Sequence, residues 1–395
     1  MRKVRLKDIG TFYSGLSGKS KKDFSDGNAL LATYRNIFNN PVLNLDIKDT
    51  VVIGNGEKQN EVMYGDILFT GSSETPEEAG MSSVVMSEPK EKIYLNSFCF
   101  GFRLNNIIEI LPSYMGHLLR SEPVRKAISK TAFGVTRFNI NKNFLSEIEI
   151  PLPPLTIQRE IVSVLDSFTM LIDKMKQEVV LRKKQMEYYR EKLLSFDEEI
   201  RKLSFGKDFT LKARIGWQGL TKKEYLPDGE YKLITGTDFT TNNTIDFDHC
   251  VYVSKERYEQ DPYIQIKEDD VLITKDGTLG KIAYISELPM PATLNGGVFV
   301  VRGKTGEVTQ RFLKHYLISN NFKNWIEQNH TAGSIMHLTQ KLLEKFNIPV
   351  PSPSTQEDIV STLDAFEQYI SKLERLITLR EKQYAYYREK LLTFE

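Results

Sequence analysis

The feature that most constrains this chain is that one unit is written twice. Shifted by 198 (348 − 150 = 198), residues 150–196, beginning IPLPPLTIQREIVSVLDSF, align without a gap on 348–394, beginning IPVPSPSTQEDIVSTLDAF. The two stretches close on YYREKLLSF and YYREKLLTF. Repetition is settled before any local reading, because it decides the architecture. Two copies are too few for a solenoid, in which each repeat leans on several neighbours. A duplicated unit of this length predicts a pseudo-dimer within one chain.

Upstream the repeat decays but persists. Residues 95–103 (LNSFCFGFR) align with 294–302 (LNGGVFVVR), and 66–70 (DILFT) with 270–274 (DVLIT). His117-Leu118-Leu119 matches His315-Tyr316-Leu317. Gly15-Leu16-Ser17 followed by Lys21-Lys22-Asp23-Phe24 resembles Gly219-Leu220-Thr221 followed by Lys222-Lys223-Glu224-Tyr225. The offset drifts from 198 to 204 (270 − 66 = 204), so the loops differ in length. Each half thus keeps a framework and changes its surface, as a duplicated protein does when its copies perform one task on two targets.

A length of 395 residues predicts two or three domains with room for real cores. A hydrophobic share of 40% and a charged share of 27% belong to a soluble globular chain. No apolar run approaches the roughly 18 residues of a membrane span. The start, MRKVRLKDIG, has no apolar stretch behind its charges, so it does not read as a secretory signal. Cys99 and Cys250 stand in no metal or redox spacing, and a reducing cytoplasm is expected. Charge is spread evenly: 19 − 17 = +2 over 1–150, 10 − 9 = +1 over 151–203, 18 − 18 = 0 over 204–349 and 6 − 8 = −2 over 350–395. No segment is a general polyanion binder, so any nucleic acid must be held through local patches or with a partner's help.

In the repeated segment Pro151, Pro153 and Pro154 forbid helix before about residue 156. Beyond them Ile161, Leu165, Phe168, Ile172, Met175 and Val179 step alternately by four and three, which is a heptad seam. The second copy supplies Ile359, Leu363, Phe366, Ile370, Leu373 and Ile377. Both seams carry an arginine at the same layer, Arg182 and Arg380. Each helix would run about 60 Å. Two long matching seams predict that the helices pack on each other, antiparallel across a pseudo-two-fold. The parts between read as mixed strand and helix: strands at 51–53, 67–70, 84–86, 98–104, 251–253, 271–274, 282–285 and 298–301, and helices at 114–119 and 312–325. The expected class is α+β.

The order variable domain, proline-led long helix, second variable domain, second similar helix resembles the DNA specificity subunit of Type I restriction–modification systems. IPLPPLTIQREI at 150–161, IPVPSPSTQEDI at 348–359 and the paired YYREKLL endings carry the resemblance. DVLITKDGTLGK at 270–281 and TAGSIMHLT at 331–339 support it. It covers essentially the whole chain, with one departure: Gly71-Ser72-Ser73 stands where the second half has Lys275-Asp276-Gly277. The resemblance implies target recognition domains at 1–150 and 204–349, each reading one half of an asymmetric split sequence in double-stranded DNA. It implies conserved spacer helices at 151–203 and 350–395, which set the spacing and dock two methyltransferase (modification) subunits, with restriction subunits added for cleavage. A two-fold symmetric reader suits half-sites about 34 Å apart, which helices of that length can span.

A non-catalytic role without cofactor or metal is expected. The chain contains no Asn/Asp-Pro-Pro-aromatic motif, and 276–281 lacks the glycine and lysine spacing of a phosphate loop. His330 and His337, seven apart, do not have ligand spacing. Candidate DNA contacts are Lys19, Lys21 and Lys22 in a Gly/Ser-rich loop, their repeat counterparts Lys222 and Lys223, and Trp217 and Gln218 just upstream. Arg35, Asn36, Arg137 and Asn139 carry side chains suited to guanine and adenine edges. Lys275, Asp276, Thr278, His337 and Gln340 complete the set, although Asp276-Gly277 also has the chemistry of a plain turn. Two other readings stay open: the recognition half of an enzyme whose catalytic part lies on another chain, and a coiled-coil scaffold without nucleic acid.

Overall fold

The computed structural model describes residues 2–105, 109–216, 219–275, 279–329 and 338–394. Two compact units emerge, one formed by Met1–Gln177 with Arg375–Glu395 and the other by Glu178–Glu374. Each unit holds the leading part of one long helix and the closing part of the other.

The first unit is built on a four-stranded antiparallel sheet in the order Gly10–Ser14, Cys99–Leu104, Ile67–Thr70, Ser82–Val84. The second repeats it with Phe209–Lys212, Val298–Gly303, Val271–Thr274 and Ile282–Tyr284. A three-stranded mixed sheet stands beside each: Thr50–Val51, Ala29–Ala32, Ile93–Leu95 in one, Val251–Val253, Tyr231–Ile234, Ala292–Leu294 in the other. A two-stranded ribbon ties the start of each unit to the approach of its long helix, Arg2–Arg5 with Glu149–Leu152 and Lys202–Ser204 with Asn347–Pro349. The first unit alone, among the described residues, adds a small sheet of Ala132–Phe133, Phe138–Ile140 and Ser72–Ser73.

The central strands are mostly apolar because both faces are covered. Ile67 and Phe69 face a core with Phe100, Phe102, Tyr114, Leu118 and the helix residues Ile161 and Leu165. Leu68 faces the other way, onto Ile37, Val85, Leu95 and Cys99. In the second unit Val271, Ile273, Phe299 and Val301 pack with Phe312 and Leu363, while Leu272, Val298 and Val300 pack with Ile234 and Leu294.

The expected helix at 114–119 is Pro112–Leu119. The expected single helix over 312–325 is instead two, Gln310–Ile318 and Asn320–Asn329. Ser319 is extended there (ψ 165°), and its hydroxyl donates to the Tyr316 carbonyl at 2.7 Å, closing the first helix locally. The first unit breaks at the same place, before Glu122–Ser129. Both breaks are capped alike: the Glu122 N–H donates to Glu389 and the Asn320 N–H to Glu191, at 2.9 and 3.0 Å.

The long helices are Leu155–Leu193 and Pro353–Leu392, of 39 and 40 residues. All twelve apolar seam residues that the heptad pattern singles out are buried or half-buried. In the first unit Ile161 and Leu165 share a core with Leu391, Leu392 and Phe394. Phe168 stacks on Tyr387 at 5.4 Å, and Lys176 pairs with Glu381 at 2.7 Å. Ile172 is buried and Met175 half-buried. In the second unit Ile359 and Leu363 meet Leu193, Leu194 and Phe196, and Phe366 stacks on Tyr189 at 5.7 Å. Ile370 is buried and Leu373 half-buried. The seam arginines bond along their own helices, Arg182 to Glu178 and Gln185, Arg380 to Gln383.

Each helix is fastened to its unit by one buried glutamine. Gln158 accepts from Leu111 N–H at 2.9 Å and donates to the carbonyls of Glu109 (3.0 Å) and Pro153 (2.9 Å). Gln356 accepts from Thr309 N–H at 3.0 Å and donates to Glu307 (2.7 Å) and Pro351 (3.2 Å). Their exposures of 0% and 1% leave no water to substitute for a missing partner. Gln158→Ala is expected to lower the stability of the first unit by about 2–3 kcal/mol, since it orphans backbone groups on two elements. Urea unfolding followed by an amide-exchange readout on residues 109–153 measures this; a decrease below about 0.5 kcal/mol contradicts it.

Candidate functional site

Both units present their surface loops from one rigid mount. In the first, Arg103 grips Asp66 through Nε (2.8 Å) and Nη2 (2.7 Å), and Nη2 also donates to the Glu61 carbonyl at 2.8 Å. In the second, Arg302 grips Asp270 at 2.6 and 2.5 Å and donates to the Gln265 carbonyl at 2.7 Å. The fork of the guanidinium matches a carboxylate in two places at once, which fixes angle as well as distance. Tyr13 donates to Asp66 at 2.7 Å, and burial together with that carboxylate pushes its phenol far above the ordinary range. It therefore remains a donor at any physiological pH.

The strand beyond the mount ends in the same latch in both units. Thr70 Oγ1 accepts from Met81 N–H and Thr274 Oγ1 from Lys281 N–H, each at 2.9 Å. Gly80 and Gly280 donate back to the carbonyls of Thr70 and Thr274 at 3.1 and 3.0 Å. Both glycines have left-handed backbones (φ 68° and 71°), and a Cβ would come within 2.7 Å of Ile128 or 2.4 Å of Ile326. Between the latch points the first unit has nine residues (79 − 71 + 1 = 9) and the second five (279 − 275 + 1 = 5). The nine carry Glu74, Glu77 and Glu78; the five carry Lys275 and Asp276. The framework is duplicated and the loop on it is not.

In the first unit this loop borders a hollow of about 610 Å3. Tyr34 and Phe38, stacked at 5.8 Å on the helix Tyr34–Asn39, form one wall. Tyr34 donates its hydroxyl to the Ser72 carbonyl at 2.8 Å. Arg137 enters from the hairpin above, its Nε donating to Ser72 Oγ at 2.9 Å and its guanidinium lying 5.1 Å over the Phe98 ring. Ser73 donates to Glu78 at 3.0 Å.

The other candidate residues are distributed as follows. Lys21 and Lys22 are exposed in the turn Lys21–Phe24, and Lys222 and Lys223 in its counterpart Lys222–Glu224. Both turns are closed by the same capping box, Ser20 with Asp23 and Thr221 with Glu224, so the four lysines occupy equivalent stations. Lys19 lies apart from them: its side chain is only 7% exposed and its ammonium closes the loop onto Glu57 and the Val52 carbonyl. Asn36 spends its amide on the loop 36–44, donating to the Asn44 carbonyl and accepting from Asn44 N–H and Asn40. Arg35 is exposed on the same helix, and Asn139 is exposed on the strand opposite Ser72. Lys275 lies 5.6 Å over the Phe299 ring. Gln340 opens the short helix Gln340–Leu343 and donates to Glu344. Trp217, Gln218, Asp276, Thr278, His330 and His337 lie outside the described residues. Cys99 and Cys250 are buried and unpaired, and burial pushes both thiols up to about 12, so neither is a nucleophile.

Sequence reasoning passed over Asp66, Arg103, Gln158 and their partners Asp270, Arg302, Gln356. Each pair sits inside an aligned repeat block, so identity at equivalent positions was the available signal. It read His315 only as an aligned repeat position and passed over its burial. His315, fully buried, is hydrogen-bonded through Nε2 to Asp364 at 2.7 Å, with Lys314 and Glu367 paired alongside. His315, Asp364 and Glu367 are close enough to share a cation. Arg311, Lys314 and Arg190 already face those two carboxylates, so three fixed cations oppose a metal ion there.

Burial holds His315 below its ordinary pKa of 6.5, outweighing the pull of Asp364. As the pH drops beneath 6.5 the unfolded chain takes up a proton that the native state refuses, so stability falls with falling pH. Paired carboxylates add to that slope only near pH 4, their unfolded range. The thermal midpoint of the second unit is therefore expected to fall between pH 7.5 and 5.5, and His315→Gln to flatten that slope. Differential scanning calorimetry at the two pH values checks it; an unchanged slope in the variant refutes the assignment.

Among known proteins, residues 1–181 and 218–381 match the family model described as Type I restriction modification DNA specificity domain. Curated relatives include the EcoR124I/EcoR124II Type I restriction enzyme specificity subunit of Escherichia coli, 31% identical over 63% of this chain and 64% of the relative. A putative Type I restriction enzyme specificity subunit of Haemophilus influenzae is 29% identical over 66% of this chain and 68% of its own. These matches therefore span about two thirds of each relative's length. In fold the chain is similar to the Type I restriction–modification S subunit from M. genitalium, with a TM-score of 0.55 at 16% identity, covering 100% of this chain and 96% of that one. A chain solved in work on assembly and conformational transition of the Type I system gives a TM-score of 0.61 at 16% identity, covering 99% and 96%.

Proposed function

We propose that this chain, which belongs to the family of Type I restriction modification DNA specificity domains, is the non-catalytic DNA-reading subunit of a Type I restriction–modification complex. One observation carries the reading. A single mount of Arg–Asp fork, threonine latch and left-handed glycine is built twice, and the loops it presents differ in length and charge between the copies. A protein that must read two unlike half-sites with one binding geometry needs that combination.

In this reading 1–150 and 204–349 are the two target recognition domains. The helices within 151–203 and 350–395 pair as an antiparallel coiled coil that sets their spacing. The stacking of Phe168 on Tyr387 and of Tyr189 on Phe366 supports that pairing, since the partner number falls as the residue number rises. Two methyltransferase subunits would dock along the helices and restriction subunits would join them. Lys21, Lys22, Lys222 and Lys223, at equivalent stations, would grip backbone phosphates, while Arg35, Arg137 and Asn139 would face base edges. With a net charge of only +1, the isolated chain would bind DNA weakly, and the methyltransferase would complete the phosphate contacts. No helix among the described residues is long and apolar enough to cross a membrane.

The test is methylation mapping in cells carrying the chain with its methyltransferase, against cells lacking the chain. A split, asymmetric motif whose methylation disappears with the chain is expected, and an exchange of residues 204–349 should alter one half-site only. An unchanged methylome with an active methyltransferase present would leave the chain a scaffold. Replacing Lys21 and Lys22 by Ala should weaken cognate and unrelated DNA alike. The slope of log affinity against log salt should become shallower by about 0.9 for each phosphate that is no longer neutralised. A relaxed sequence preference instead would assign those lysines to base reading.

A further inference from the structure

We propose that the hollow beside the first latch reads a G·C base pair, with Arg137 taking the guanine and Glu78 the cytosine. The proposal rests on the DNA-reading function above and names the chemistry by which the first half-site is recognised.

Arg137 is held for such a contact. Its Nε is spent on Ser72 Oγ and its guanidinium lies over the Phe98 ring, and its two Nη groups have no protein partner among the described residues. Ser72 is itself anchored, because Tyr34 donates to its carbonyl. A guanidinium fixed at Nε and lying over an aromatic ring can offer its two Nη groups as paired donors, the arrangement that meets guanine O6 and N7. Holding it in advance also removes the side-chain entropy that a free arginine gives up on binding.

The hollow is also lined by carboxylates. Glu78 accepts from Ser73 through one carboxylate oxygen, which leaves the other available, and exposed Glu74 stands beside it. Carboxylates repel phosphate, so this face is unsuited to gripping the backbone. It suits an exocyclic amino group, and cytosine N4 is the amino group that a glutamate accepts from in the major groove. A G·C pair presents the two acceptors and the amino donor side by side, so one pair offers a partner to each of the two side chains. The second unit, with Lys275 after the same latch and no such run of carboxylates, would read a different base pair.

The experiment uses the full chain assembled with its methyltransferase, challenged with a randomised duplex library and scored by methylated sequence. Exchange of 204–349 first identifies which half-site belongs to the first unit. The wild type is expected to require G·C at one position of that half-site. Arg137→Ala and Glu78→Ala should each relax that position by about 10- to 100-fold in discrimination, leaving the other half-site strict. Arg137→Lys, which keeps the charge and removes the fork, should relax it as well; it serves if the alanine variant does not assemble. A half-site without a G·C requirement, or one that stays strict in an assembled Arg137 variant, overturns this proposal while the reading function stands. A wild-type complex that methylates without sequence preference overturns the function itself.

Discussion

The buried amides of Gln158 and Gln356 are the interaction on which the rest of the structure depends. Each glutamine belongs to a long helix, yet all three of its hydrogen bonds reach the backbone of the segments that precede that helix. The helix start, the helix pair of each unit and the proline-led approach are thereby fixed to one another at a single point. A surface whose loops must be placed to fractions of an ångström needs such a point, because an error at the foot of a helix grows along its length.

Around that point the two units divide their residues sharply. What carries load is repeated: the Arg–Asp forks, the threonine latches, the glycines with left-handed backbones and the carboxylates that cap the second helix of each pair. The stretch held between the latch points is not: nine residues with three glutamates in one unit, five with a lysine in the other. Core packing tolerates little change, since each interior side chain answers to many neighbours, whereas a loop held at both ends can change length and charge at small cost. Duplication of a mounted loop therefore yields two unlike loops on one kind of skeleton.

The fold was legible where the sequence carried long periodic signals. Heptad steps through Ile161, Leu165, Phe168 and Ile172, and their copies, marked the helices and their buried faces. Apolar runs such as 67–70 and 271–274 marked the central strands. The break at Ser319 was not legible, because it is made by one hydroxyl bonding three residues back and by a carboxylate from a distant helix. The candidate site was legible only in part. Lys21, Lys22, Lys222 and Lys223 lie at matched exposed stations, while Lys19, close to the first two along the chain, is turned inward by Glu57. Sequence distance does not distinguish these cases; an ion pair closed across 38 residues does.

By itself the sequence determined that the chain is a duplicated unit, that each copy ends in a long amphipathic helix and that the variable surface lies upstream of it. Those properties follow from local periodicity and from comparison of the chain with itself. Only the tertiary structure decided which polar residues hold the frame and which are free to touch a ligand. Arg103 and Arg137 are alike in the sequence, but the first closes a fork on Asp66 and the second keeps two donors open beside a ring. That difference is set by partners 37 and 65 residues away, and no local pattern records it.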